Sequence, residues 1–172
     1  MKKIGIVIAV MVVAMIINQS AQASLFQPHS EFHLAIKAGD VKELEKLIAE
    51  HPNEINNRHY LQGRSPLMLA AELGQARMVK LLLNNGADPN QRTTNRNSAL
   101  IYALRGETEG HYACARLLLN AGADPCAINY AYECPAHMAY EDPAIWPYMQ
   151  GFMPKDRPTF AERLQNAFGL SH

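Results

Sequence analysis

The chain has 172 residues, sixteen lysines and arginines against sixteen aspartates and glutamates, and only three cysteines. That balance argues against a nucleic-acid partner, because a protein that holds a phosphate backbone carries a strong basic excess or stripe. No phosphate loop, His-Glu-x-x-His, Gly-x-Ser-x-Gly or paired CxxC occurs, which sets aside the common motif-bearing enzymes.

Met1-Lys2-Lys3 is followed by an apolar run from Ile4 to Ile17, then by polar Asn18-Gln19-Ser20 and small Ala21-Gln22-Ala23. A charged start, an apolar middle and a small-residue end are the parts of a secretory signal peptide, so cleavage is expected before Ser24. As a helix the run would rise only about 21 Å against a hydrocarbon core of about 30 Å, so a persistent membrane anchor is not expected. Removing residues 1–23 leaves 149, enough for one domain, with fourteen basic against sixteen acidic residues and a net charge of −2. The expected location is periplasmic or secreted, where a disulfide persists, and an odd cysteine count leaves at least one thiol free or paired between chains.

The next segments read as pairs of short helices. Leu34-Ala35-Ile36-Lys37-Ala38-Gly39 closes one helix, and Asp40 with Glu43 reads as a capping box opening a second. Val41, Leu44, Leu47 and Ile48 line one face of that second helix before Pro52. From Ser65 to Gly74 the text is Ser-Pro-Leu-Met-Leu-Ala-Ala-Glu-Leu-Gly. Met78, Val79, Leu82 and Leu83 then share a face, and Gly86 supplies the left-handed residue that ends the helix before Ala87-Asp88-Pro89-Asn90. Ser98-Ala99-Leu100-Ile101-Tyr102-Ala103 and Leu117-Leu118-Leu119-Asn120-Ala121-Gly122-Ala123-Asp124-Pro125 repeat that text, with Ser65 and Ser98 a period of 33 apart. Cys134-Pro135-Ala136-His137-Met138-Ala139 is a degenerate fourth copy. One helix pair cannot bury its apolar faces alone, so the copies must stack.

Pro143, Pro147, Pro154 and Pro158 then argue for an irregular connector over 143–158, packed on the fourth copy through Ile145, Trp146, Tyr148, Phe152 and Met153. Thr159 and Glu162 form another capping box, Phe160, Leu164 and Phe168 share a face, and Gly169 closes what reads as a capping helix.

The repeated text resembles the ankyrin repeat, whose pattern opens with Thr-Pro-Leu-His-x-Ala and closes with Leu-Leu-Leu and Gly-Ala-Asp; Ser65 and Met68 depart from it. The resemblance implies an all-α solenoid of about four helix-turn-helix repeats with short β-fingers and a C-terminal capping helix. The repeats fall at about 30–57, 58–90, 91–126 and a degenerate 127–142, after the 1–23 signal and before the 143–172 connector and cap. It also implies a monomeric protein-binding module with no cofactor, no catalysis and no membrane insertion after cleavage. An accessory factor for an exported enzyme, such as one of oxidative defence, and an immunity protein neutralising a toxin are the roles that family analogy supplies. A cryptic enzyme or metal protein is the alternative of another class.

In such a module the partner contacts the finger tips and the exposed face of each first helix. Carried over by register, those positions are His59, Leu61, Gln62, Arg64, Glu72 and Leu73 in the second repeat. In the third they are Arg92, Asn95, Asn97 and Arg105, and in the fourth Tyr130, Tyr132, Glu133 and Glu141. Arg96 and Tyr132 stand where the fingers normally have Gly, so Asn95 is expected to take the left-handed position in the third finger, and only Asn129 is near enough in the fourth. Cys126 and Cys134 replace the Asn and Thr that flank the base of the last finger, which suggests a disulfide, while Cys114 falls on a core position. Cys126, Cys134 and His137 also offer three ligands for zinc, one short of a structural site, against a structural His137 as in the family. About three extra residues near Gly106-Glu107-Thr108-Glu109-Gly110 read as a surface insertion or a specificity loop.

Overall fold

The computed structural model describes residues 28–58, 63–140 and 142–153. The signal-peptide segment, His59, Leu61, Gln62, Glu141 and the Thr159–Gly169 cap lie outside the described residues.

Four helix pairs follow one another: α1 (Pro28–Ala38) with α2 (Val41–Glu50), α3 (Pro66–Glu72) with α4 (Ala76–Asn84), α5 (Ala99–Leu104) with α6 (Glu109–Asn120), and α7 (Pro135–Tyr140) with α8 (Trp146–Met149). The starts of α2, α3 and α5 have a local cause. Ser65 Oγ accepts from the Met68 N–H at 3.4 Å and Ser98 Oγ from the Ile101 N–H at 3.3 Å, so both inner helices begin on a hydroxyl cap. Asp40 Oδ1 accepts from the N–H groups of Lys42 and Glu43, each at 3.1 Å. Only half of the expected capping box forms, because the Asp40 N–H that Glu43 would take already donates to the Ala35 carbonyl at 3.0 Å, and the Glu43 carboxylate pairs with the Lys46 ammonium at 3.3 Å.

The first helices of successive pairs pack side by side, α1 on α3, α3 on α5 and α5 on α7, while α2, α4 and α6 form an outer layer. Between the layers runs one core from Phe32, Ile36, Leu44 and Leu47 through Leu67, Met78 and Leu82 to Leu100, Leu118, Ile145 and Met149, all buried. Val41 and Leu83 are only part-buried at its margin. The loops repeat as well. Gly86 and Gly122 take φ of 89° and 86°, letting the Ala87 and Ala123 N–H groups turn back to Leu82 and Leu118 carbonyls.

Side chains tie each loop to the next. Asn56 donates to the Gly86 carbonyl at 3.0 Å and accepts from the Asp88 N–H at 2.8 Å. Thirty-four residues on, Asn90 does the same to Gly122 and Asp124, at 2.9 Å each. Arg58 donates to the Arg92 carbonyl and Arg92 to the Ile128 carbonyl, both at 3.0 Å.

Two regions differ from the expectation. The proline-bearing connector contains α8 and a 3-10 turn over Gln150–Phe152, because Pro147 lies in the first turn of the helix, where its missing N–H costs nothing. Ile145 and Met149 reach the core, and the Tyr148 hydroxyl donates to Asn120 Oδ1 at 2.9 Å. The fingers carry hydrogen-bonded turns, and among the described residues no element is a β-strand.

Candidate functional site

The third finger turns at Thr93, whose carbonyl accepts from the Arg96 N–H at 2.9 Å and whose N–H donates to the Asn97 carbonyl at 3.0 Å. The fourth repeats this at Asn129, with Tyr132 N–H on the Asn129 carbonyl at 3.2 Å and Asn129 N–H on Glu133 at 3.1 Å. These are three-residue turns whose last residue is left-handed. Arg96 itself takes that place at φ 61° and Tyr132 at φ 62°, not Asn95 or Asn129, and Gly63 holds the matching position at φ 62°. Asn129 is needed elsewhere. Its buried Oδ1 accepts from the Ala131 and Glu133 N–H groups at 2.9 Å each, a bracing role that Thr93 Oγ1 performs toward the Asn97 N–H at 3.1 Å.

Behind the turns, side chains from three repeats form a belt. Arg64 pairs with Glu72, and its guanidinium lies over the Tyr102 ring, 5.0 Å from the centroid. Arg105 approaches the same ring at 5.5 Å and reaches Glu133 at 2.5 Å. The order Glu72, Arg64, Tyr102, Arg105, Glu133 thus sets two guanidinium groups against one aromatic ring, each backed by a carboxylate. The Arg105 guanidinium, then the Asn129 amide at 2.6 Å, hold the Glu133 carboxyl below its ordinary pKa.

Arg64, Glu72, Arg105 and Glu133 are therefore brought together as the register implied. Asn97 joins them only from below, and this corrects its expected role as a contact residue. It is 8% exposed, and its Oδ1 accepts from Asn129 at 2.6 Å and from Arg105 at 3.5 Å, so it positions its neighbours. Leu73, Asn95, Tyr130 and Tyr132 are exposed, and Arg92 is half-buried in its bond to Ile128. Tyr102 was invisible to sequence reasoning because it occupies the register of the core residue Leu69 and is itself buried; its only signal was an aromatic ring where the preceding repeat has leucine.

The extra residues of the third repeat do not enlarge a loop. They lengthen α6 to 12 residues against 9 in α4, with Thr108 as the cap. His111 in its first turn contacts Glu72 O through Nε2 at 3.0 Å and Thr108 Oγ1 through Nδ1 at 2.7 Å. Gly106 leaves its ring room, since a Cβ there would meet imidazole atoms at 2.2–2.3 Å.

Cys114 is buried in α6, and burial pushes its thiol up to about 12. Cys134 occupies the helix-start position held by serine in repeats two and three, and its thiol donates to the Pro125 carbonyl at 3.6 Å. Cys126 is half-buried and His137 exposed. Among the described residues no three His, Cys, Asp or Glu side chains are gathered as metal ligands, and none of their helices is long and apolar enough to cross a membrane.

The model of ankyrin repeats in three copies matches residues 32–129, more than half of the chain. The ankyrin repeat and SOCS box protein 16 of Mus musculus is 41% identical over 80 residues, 44% of this chain and 18% of its own length. The ankyrin repeat protein nuc-2 of Neurospora crassa is 32% identical over 95 residues, covering 55% of this chain and 9% of its own. An ankyrin repeat-containing protein of Treponema pallidum is 35% identical over 92 residues, covering 54% and 30%. This chain thus spans less than a third of each of these relatives. Among solved structures, the ankyrin repeat domain of Bcl-3 superimposes with a TM-score of 0.62 at 28% identity, over 70% of this chain and 50% of that one. Ankyrin repeats are scaffolds for protein–protein interaction, and with its 33-residue period, stacked helix pairs and matching turns, this chain belongs to the ankyrin repeat family.

Proposed function

We propose that this chain is an exported protein-binding module that grips one partner through its finger turns and inner-helix face. The belt of Glu72, Arg64, Tyr102, Arg105 and Glu133 carries the reading: three successive repeats hold charged side chains in fixed places beside exposed tyrosines. A preordered polar surface of this kind lowers the entropy cost of association, and tyrosine and arginine are the types that dominate interface energetics. Export rests on the three-part pattern of residues 1–23. The proposal includes no catalytic step.

Recovered from the periplasmic fraction, the protein should have an intact mass that begins at Ser24; a chain that keeps Met1 and fractionates with membranes would refute export. A pull-down from that fraction should yield one dominant protein, with capture weakened in Arg64→Ala and Arg105→Ala. Both are part-exposed ion pairs over one ring, so each change should cost only about 1 kcal/mol of stability. Unweakened capture by both variants would place the binding surface elsewhere.

A further inference from the structure

Two finger tips hold side chains that the fold would be easier without. Arg96 and Tyr132 sit at φ 61° and 62°, where a Cβ crowds the following carbonyl and where the matching residue of the preceding finger is Gly63. Packing does not account for them. Tyr132 is 85% exposed, and Arg96 is exposed with no carboxylate partner among the described residues. The Arg96 guanidinium lies 6.0 Å from the ring of Tyr130, which is also exposed. Strained backbone of this kind persists where a side chain is kept for use, not for stability.

The charges at this end say what the use is. Residues 91–105 contain three arginines and no acid, and residues 127–132 contain no charge. Arg105 is matched by Glu133 and Arg92 is tied to a carbonyl, which leaves Arg96 at a locally positive tip on a chain whose overall charge is balanced. We propose that Arg96, Tyr130 and Tyr132 form a docking tip for an acidic segment of a partner protein. The guanidinium takes a carboxylate of that segment, and the two phenol rings supply contact area and hydroxyl donors at small entropic cost. The proposal rests on the binding-module reading and names the chemistry of the partner at its finger tips.

The test uses the full chain and its Arg96→Gly, Arg96→Asn, Tyr132→Gly and Tyr132→Asn variants; asparagine tolerates the left-handed region without glycine's flexibility. A random peptide library displayed on phage is selected against the wild type, and the enriched peptides are synthesised and titrated against every variant. Acidic peptides should be enriched and should bind each variant at least about tenfold more weakly. The melting temperature of the asparagine variants should equal or exceed that of the wild type. Melting temperatures that fall in both the glycine and the asparagine variants would overturn the proposal. So would enrichment of neutral or basic peptides, no enrichment at all, undiminished binding to the variants, or displacement of the peptides by a single-stranded oligonucleotide. If the peptides are lost on Arg64→Ala and Arg105→Ala but not on the tip variants, the tip falls and the binding module stands. If the tip and belt variants all capture the native partner normally, both fall.

Discussion

Replacing Gly106 with alanine would place a Cβ 2.2 Å from Cδ2 of His111 and 2.3 Å from its Cγ and Nε2. No carbon sits that close, and all three obstructing atoms belong to one imidazole, so the ring must leave its seat. Its contacts to the Glu72 carbonyl at 3.0 Å and to Thr108 Oγ1 at 2.7 Å are then lost. Two hydrogen bonds at about 0.5–1.5 kcal/mol each, with about 1–3 kcal/mol for overpacking, give an expected destabilisation of about 2–6 kcal/mol. His111→Ala alone forfeits the two hydrogen bonds, about 1–3 kcal/mol. In that background Gly106→Ala no longer meets the ring and should cost far less than in the wild type, so denaturant unfolding of the four proteins should show a coupling of about 2 kcal/mol or more. Gly110 is the control, since a Cβ there meets the Gly74 carbonyl oxygen at 2.5 Å, which removing the imidazole does not relieve. Additivity of the two substitutions within about 0.5 kcal/mol, or equal rescue of Gly110→Ala, would show that the His111 ring is not what Gly106 makes room for.

Leu82→Ala opens a cavity in the middle of the core and should lower unfolding free energy by about 2–5 kcal/mol; a loss within the scatter of surface variants would put Leu82 outside the core. Cys114, with its thiol pushed up to about 12 by burial, should resist alkylation until the chain unfolds. In the same mapping experiment, a link from Cys114 to either of the other cysteines would break the register. Glu133 is depressed by Arg105, so its contribution should be full above the ordinary glutamate pKa of about 4.3 and vanish as pH falls through the lower folded value. The stability gap between wild type and Glu133→Gln should therefore close on acidification, and a gap that is the same at neutral and acid pH would exclude the Arg105 pair as its source.

What the sequence showed follows the physics of each position. Ser65 and Ser98 were legible as the same place in a repeated text, and their 33-residue spacing set the register for Leu82, Leu118 and the two glycines that end the outer helices; that both hydroxyls cap helices came from the structure. Helix α8 was hidden by Pro147, since a proline that breaks a helix interior is indistinguishable in the text from one that opens a helix. The extra residues of the third repeat read as a surface insertion or a specificity loop, whereas they lengthen a helix and two of them, Gly106 and Gly110, are small to admit His111 and the Gly74 carbonyl. In the site, single charged residues at repeated positions pointed to one surface, on which Arg64 pairs with Glu72 and Arg105 with Glu133. The belt needed coordinates, because Tyr102 reads as core and the pairing of Arg105 with Glu133 crosses from one repeat to the next.

The tyrosine-bearing tip lies in the fourth finger, where the polar columns of the solenoid change character. Asn56 and Asn90 each bridge to a Gly-Ala-Asp turn in the following repeat, a task that needs a donor and an acceptor on one short side chain. The next residue in that column is Cys126, and no Gly-Ala-Asp follows it. The arginine column runs from Arg58 to Arg92 and then reaches Ile128, and the serine caps give way to Cys134. Three polar columns thus change character together, where α7 is followed by the four-residue α8 instead of a full outer helix. Among the described residues no further Gly-Ala-Asp turn lies beyond Cys126 and Ile128 to satisfy a polar side chain reaching onward, so those two positions can become thiol-bearing or apolar. Finger positions obey the opposite logic: with no later finger packed over Tyr130 and Tyr132 among the described residues, their rings stay open to solvent and to a partner.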